Sequence, residues 1–166
     1  MSLTFRDPIR HFYQEKSHSC AAAAFAMLFN LDEKVARKMV KTDSNGTCMY
    51  DVLDALLNHD VGAYLVGNLG EANHKTLFWL GPLSCHFPLL LSCKFLNTSI
   101  HKRTIKRQHA VLAANGFIYD PSEDREVPIE AFEGTFNKDL IISQMIVVDH
   151  ELPRWRDNWL RAGFDR

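Results

Sequence analysis

No stretch of this sequence stays hydrophobic for long. The apolar runs, Cys20 to Phe29 and Pro88-Leu89-Leu90-Leu91-Ser92-Cys93 with Phe95 and Leu96 beyond Lys94, fall far short of the ~20 residues needed to cross a bilayer. The first residues, Met1 to Pro8, contain no apolar h-region and no cleavage site, so no classical secretory signal is expected there. Charge of one sign is scarce too. Nineteen Lys and Arg face 20 Asp and Glu, a formal charge of -1, and this balance gives no bulk attraction to nucleic acid or to an anionic membrane. Neither is expected as a partner. The one basic stretch, His101 to Arg107, reads as a solvated loop before a strand. Cysteine is sparse: Cys20, Cys48, Cys85 and Cys93, no two spaced C-x-x-C. That excludes a zinc ribbon and a thioredoxin-type pair. A chain of 166 residues buries a core without disulfides, so reduced thiols in the cytoplasm are expected. His11, His18, His59, His74, His86, His101 and His150 form no H-x-x-x-H pair with a carboxylate. No metal and no cofactor are therefore expected.

What is present is an ordinary globular composition, 46% apolar and 23% charged, without repeats or low-complexity segments. It suits one domain over residues 1–166. Cys20-Ala21-Ala22-Ala23-Ala24-Phe25-Ala26-Met27-Leu28-Phe29 reads as a buried helix, with Ser19 or Ser17 as its cap. A second helix starts at Leu31-Asp32-Glu33 and a third runs from about Thr47 to Asn58, beyond a turn at Asp43-Ser44-Asn45-Gly46. After Gly62 the pattern turns to strands: Ala63–Val66, Phe87–Phe95, Gln108–Ala114, Phe117–Asp120 and Leu140–Val148. Asn115-Gly116 is a two-residue hairpin signal. Pro128 to Phe132 reads as a helical turn, and about Leu152 to Ala162 as a short tail helix. Helices first and an antiparallel sheet second make an α+β fold.

Chemistry concentrates at four positions. A cysteine in the first turn of a helix sits among unpaired backbone N–H groups, which favour its thiolate. An attacked carbonyl becomes an oxyanion and needs fixed donors. The Cys20 N–H is one, and the side-chain amide of Gln14, six residues upstream, is a candidate second. Read alone, Cys20 is equally an ordinary small core residue. A thiolate also needs a base, and histidine suits neutral pH when a third group fixes its tautomer. His109 opens one strand of the hairpin and Asp120 closes the other, so the two fall close to paired at its open end. Read alone, they are a surface histidine and an Asp-Pro turn.

Taken together, Gln14 and Cys20 before an Ala-rich helix, then a buried strand, then His109-Ala110-Val111-Leu112 and Ile118-Tyr119-Asp120-Pro121 resemble the papain-like cysteine peptidase superfamily. The similarity covers roughly residues 10 to 150 and is nearest the branch of double-glycine-leader, bacteriocin-processing peptidases. The resemblance implies a papain-like fold with an N-terminal helical lobe and a C-terminal antiparallel sheet. It implies a nucleophile at Cys20, a general base at His109, an orienting carboxylate at Asp120 and an oxyanion donor at Gln14. It further implies a peptide or protein substrate, cleaved at a peptide or isopeptide bond through an acyl-thioester. Related enzymes with the same triad transfer acyl groups to amines, and a non-catalytic peptide-binding module is the rival from another class. The nucleophile's context here is Ser19-Cys20-Ala21-Ala22, where relatives commonly carry Gly or Asp-Cys-Gly. In such a fold Leu69 to Pro82 would line one side of the cleft as a packed loop, offering Asn73, Phe78 and Trp79 as substrate-binding residues. Asp149 or Glu151 would replace Asp120 only if the last strand passed His109, and His18 reads as a surface side chain.

Overall fold

The computed structural model describes residues 3–5, 8–71, 74–95, 108–123, 125–131 and 140–149. The basic stretch at 101–107, Asn73, Glu151 and the tail with Trp155 and Trp159 lie outside them. The element order is α1 (Cys20–Phe29), α2 (Glu33–Met39), α3 (Met49–Asn58), β1 (Gly62–Glu71), α4 (His74–His86), β2 (Leu89–Phe95), β3 (Gln108–Ala114), β4 (Phe117–Tyr119), β5 (Val127–Pro128), a 3-10 turn at Ile129–Ala131, and β6 (Leu140–Asp149). The strands form one six-stranded sheet in the order β1-β6-β2-β3-β4-β5. Every neighbouring pair is antiparallel. The fold is thus α+β, with the helical segments leading.

Alternation along the strands builds two cores. Leu90, Ala110, Leu112, Ala114, Ile146 and Val148 face the layer of α1, α2 and α3. Leu89, Leu91, Val111, Ala113 and Met145 face the other way, onto Leu80 and Leu83 of α4. Ala22 to Leu28 have no exposed surface, because the small side chains let α1 approach β3 closely. The helix ends where Asn30 turns left-handed (φ 51°) and the Leu31 N–H reaches the Ala26 carbonyl, a usual C-terminal arrangement. Truncating Phe25, fully buried in this layer, is expected to cost about 3–5 kcal/mol.

Several expectations change in detail. Ser19 takes the N-cap position of α1 but makes no side-chain cap. Its hydroxyl instead donates to the Lys16 carbonyl at 2.8 Å and accepts from the Lys16 N–H at 3.2 Å. The first turn of α1 is left with its N–H groups uncapped by a side chain, and these carry the positive end of the helix dipole. The loop expected over Leu69–Pro82 is instead the end of β1 followed by α4, which keeps Pro82 inside it. Packing of Leu80 and Leu83 on the sheet outweighs the local cost of Gly81-Pro82. Strand β1 runs past Val66 to Glu71, with a register shift between Gly67 and Gly70. Its glycines argue against a strand locally, and pairing with the ten-residue β6 overrides them. The short edge strand β5 was not foreseen. Pro128 stands in it, as proline does only at sheet edges or strand ends.

Candidate active site

The hairpin β3–β4 turns at Asn115 and Gly116, whose φ values are 54° and 80°. Two successive positive φ angles define the turn that matches strand twist, and only glycine adopts the second without strain. Helix α4 holds this turn from the far side. The Asn115 N–H donates to the Ser84 carbonyl (2.8 Å) and the Gly116 N–H to Ser84 Oγ (3.1 Å). The ladder runs Ala114↔Phe117, Ala113↔Ile118, Leu112↔Tyr119. Continued, it sets Asp120 opposite Val111, with His109 two positions further on the same side. The two residues are therefore diagonal neighbours rather than directly paired, still within reach for long side chains.

That reach is used. His109 Nε2 lies 2.6 Å from Asp120 Oδ1, with the side chains 13% and 2% exposed. The second ring nitrogen, Nδ1, is left for Cys20, whose thiol hydrogen-bonds the imidazole. Asp120 is held in turn. The Ser122 N–H (2.8 Å) and Ser122 Oγ (2.7 Å) both donate to the same Oδ1. Burial alone would raise the Asp120 carboxyl, but His109 and Ser122 hold it below its ordinary value. Burial likewise opposes the imidazolium, yet Asp120 and Cys20 outweigh it and raise the His109 pKa to about 9. For Cys20, burial pushes the thiol up. The hydrogen bond and charge of His109, with hydrogen bonds to the backbone of Ala110 and Ala21, bring it below the ordinary thiol value. The arrangement therefore favours a thiolate–imidazolium pair near neutral pH.

Gln14 joins them. A cleft of about 690 Å³ is lined by Gln14, His18, Cys20, Asn45, Ser92 and His109, among others. The Gln14 Oε1 atom is buried and has no hydrogen-bond partner. The segment carrying Gln14 is tied at both sides. Its N–H donates to the Pro121 carbonyl (2.8 Å), and His11 Nε2 meets the Asp120 carbonyl (2.8 Å). The Glu15 N–H donates to Glu33 Oε2 (2.8 Å) on α2. Sequence reasoning missed Ser122, His11 and Glu33. An Asp-Pro-Ser stretch is a recognisable turn signature in which the Asp side chain accepts from the chain two residues on, so Ser122 was findable. His11 and Glu33 act across 109 and 18 residues and carry no local signal. His18 is half-buried and lines the cleft, not the plain surface side chain expected.

Other expectations separate from this cleft. Trp79 is 39% exposed on α4 and does not line the space around Cys20. Phe78 also falls on α4, a helix whose Leu80 and Leu83 pack on the opposite face of the sheet from α1. Asn73 lies outside the described residues. Asp149 pairs with Gly62 at the other end of β6 from the strand ends next to His109, so Asp120 is the carboxylate His109 meets. All four cysteines are free thiols.

Solved structures share this architecture. One is a double glycine motif protease from an AMS/PCAT transporter in complex with the leader peptide, at TM-score 0.58 and 17% identity, covering 89% of this chain and 95% of that one. Another is the peptidase domain of Streptococcus ComA, a bi-functional ABC transporter involved in a quorum-sensing pathway, at TM-score 0.56 and 16% identity, covering 86% and 99%. The chain has the papain-like cysteine peptidase fold. At these identities the likeness is one of fold. No protein-family model matches the sequence, and no curated protein does. The helix that starts at Cys20 is buried against the sheet, next to β3 with His109 in its second position, which brings a helix N-terminus and a strand end to one cleft. Among the described residues no helix is long and apolar enough to cross a membrane, and no cluster of metal-ligating side chains is found.

Proposed function

We propose that the protein is a cysteine peptidase that cleaves a peptide or isopeptide bond with Cys20, His109, Asp120 and Gln14. The observation that carries this reading is the hydrogen-bonded chain from the Cys20 thiol through His109 to a buried Asp120, with His109 raised to about 9. The Cys20 thiolate attacks the carbonyl carbon, and the carbonyl oxygen takes the negative charge. The Cys20 N–H, at the uncapped start of α1, and the Gln14 side-chain amide stabilise it. With Oε1 turned inward, the NH₂ is the polar end of Gln14 offered to the cleft. The His109 imidazolium gives its proton to the leaving amine as the C–N bond breaks, leaving an acyl-thioester on Cys20. Neutral His109 then takes a proton from water, whose oxygen attacks the thioester. The acid product leaves and the thiolate returns. Asp120 fixes which ring nitrogen faces the sulfur throughout. A peptide as substrate is supported by the leader peptide bound to one protein of the same fold.

The test is a panel of peptide and ubiquitin-like substrates, with Cys20→Ala as control. Turnover by the native chain and none above background by the variant is the expected result. Full activity in Cys20→Ala would overturn the assignment. Iodoacetamide adds an independent readout. Near pH 6, Cys20 should react on the order of 10²-fold faster than an ordinary thiol, with exposed Cys48 and Cys85 as internal references. A Cys20 no faster than those two would leave a peptide-binding module on the same fold.

A further inference from the structure

The overall charge is close to zero, but one region is strongly one-sided. A groove of about 810 Å³ is lined by Lys16, His18, Lys34, Arg37, Lys38 and Lys41, with Thr42, Asp43 and Ser44 completing it. Asp43 is the one carboxylate among the described residues that line it, and its Oδ1 already accepts the Asn45 N–H at 2.7 Å. Arg37 is engaged by Glu15 and Glu33 (3.7 and 4.0 Å), and Lys41 by Asp51 (3.7 Å). Lys16, Lys34 and Lys38 have no carboxylate partner among the described residues. Like charges lining one concavity repel one another, and of the three only Lys38 has a local role in the fold, in the last turn of α2.

The groove borders the cleft at Cys20. His18 lines both. So does the turn Asp43–Gly46, closed by a pair of backbone hydrogen bonds between its ends. Asp43 and Ser44 face the groove, while Asn45, Gly46 and the following Thr47 line the cleft. A chain seated at the thiol would pass His18 and this turn and meet the three free lysines. We propose that the groove is an extended subsite that binds an acidic segment of the peptide substrate, Asp and Glu side chains lying on Lys16, Lys34 and Lys38. The inference rests on the peptidase reading above. An acidic peptide fits better than nucleic acid, because among the described residues no Phe, Tyr or Trp lines the groove to stack a base, and because the groove borders a thiol whose chemistry is with carbonyls.

The test uses the intact chain and fluorescent peptides about a dozen residues long, carrying a block of glutamates at one end or the other and neutral residues elsewhere. Oligoserine and single-stranded DNA of matched charge are the comparisons. Binding is read by anisotropy, and occupancy of the cleft by the rate of Cys20 alkylation. One of the two acidic peptides should bind and slow alkylation several-fold. Raising salt from about 50 to about 300 mM should weaken it. Combined Lys16→Glu, Lys34→Glu and Lys38→Glu should weaken it by about tenfold or more. The same three positions changed to Gln give a milder version if circular dichroism shows the charge reversal misfolded. Equal binding of oligoserine or DNA, binding indifferent to the substitutions, or binding that leaves alkylation unchanged would each overturn the subsite. The alkylation rate without peptide tests the thiol–imidazole pair separately, so failure of one reading is not mistaken for failure of the other.

Discussion

Two neighbouring regions of this molecule each hold a desolvated thiol, and they treat it oppositely. At the start of α1, Cys20 is half-buried, and burial raises it, but His109 and two backbone groups bring it down. In the middle of the sheet, Cys93 is 1% exposed and stands opposite His109 in the β2–β3 ladder. Burial there pushes the thiol far up, and the charges of Asp120 and Cys20 push it further. Proximity to the charged group is thus common to both. What differs is the supply of hydrogen-bond donors. A helix start offers N–H groups and a facing imidazole, whereas the interior of a paired ladder has spent its donors on the neighbouring strand. Burial raises both thiols, and only at the helix start do the His109 imidazole and the backbone donors outweigh it.

The contrast is easiest to break at His109. His109→Ala should cut turnover by about 10²–10⁴ and return Cys20 alkylation near pH 6 to the rate of Cys48 and Cys85. Mass spectrometry of the carboxymethylated peptides reads all of these cysteines at once, and an unchanged Cys20 rate would mean that the helix start alone makes the thiolate. Gln14→Ala sharpens the contrast by splitting two readouts. Turnover should fall by about 10²–10³, the usual loss of one oxyanion donor, while alkylation, which forms no oxyanion, stays within about twofold. A parallel fall in both would make Gln14 structural. Asp120→Asn keeps a hydrogen-bonding side chain but removes the charge that helps hold His109 up. The imidazole pKa should drop from about 9 in an NMR titration. Alkylation should slow by about tenfold, with residual turnover remaining.

Smaller effects concern stability. Glu33 is buried and accepts the Glu15 N–H next to Gln14, so Glu33→Ala should cost about 1–3 kcal/mol in urea unfolding. A variant as stable as the native chain would show that the Gln14 segment needs no such tether. The pH dependence is subtler, because two groups oppose each other. His109 is raised from 6.5 to about 9, so its stabilisation is complete below 6.5 and is lost as pH rises toward 9. Cys20 is lowered from 9.0, so its stabilisation is complete above 9 and is lost as pH falls through its folded value. Across that window the two partly cancel. Cys20→Ser removes the thiol contribution. Its Tm should decline with rising pH above about 6.5 more steeply than that of the native chain.

Much of the architecture was legible from local signals. Asn115-Gly116 between two alternating runs has one good backbone solution, so β3, the turn and β4 were readable. The Ala-rich segment from Cys20 to Phe29 was readable for the same reason. The candidate site divides along that line. His109 and Asp120 sit on one hairpin, and a turn type fixes their separation. Helix α4 was not legible, because Gly81-Pro82 signals a break and only docking on the second core reverses it. With it went the expected cleft role of Trp79 on α4.

By itself the sequence determined which residues were chemically able: a sulfur at a helix start, an imidazole and a carboxylate on one hairpin, an amide upstream. Periodicity and turn chemistry act over a few residues, and such information is written locally. Only the tertiary structure decided that α1 lies against β3 so that sulfur and imidazole share a hydrogen bond, and that His11, Glu33 and Pro121 clamp the amide beside them. Those contacts join residues up to 109 apart in the chain. They follow from how the buried faces of helix and sheet pack together, which no short window of sequence encodes.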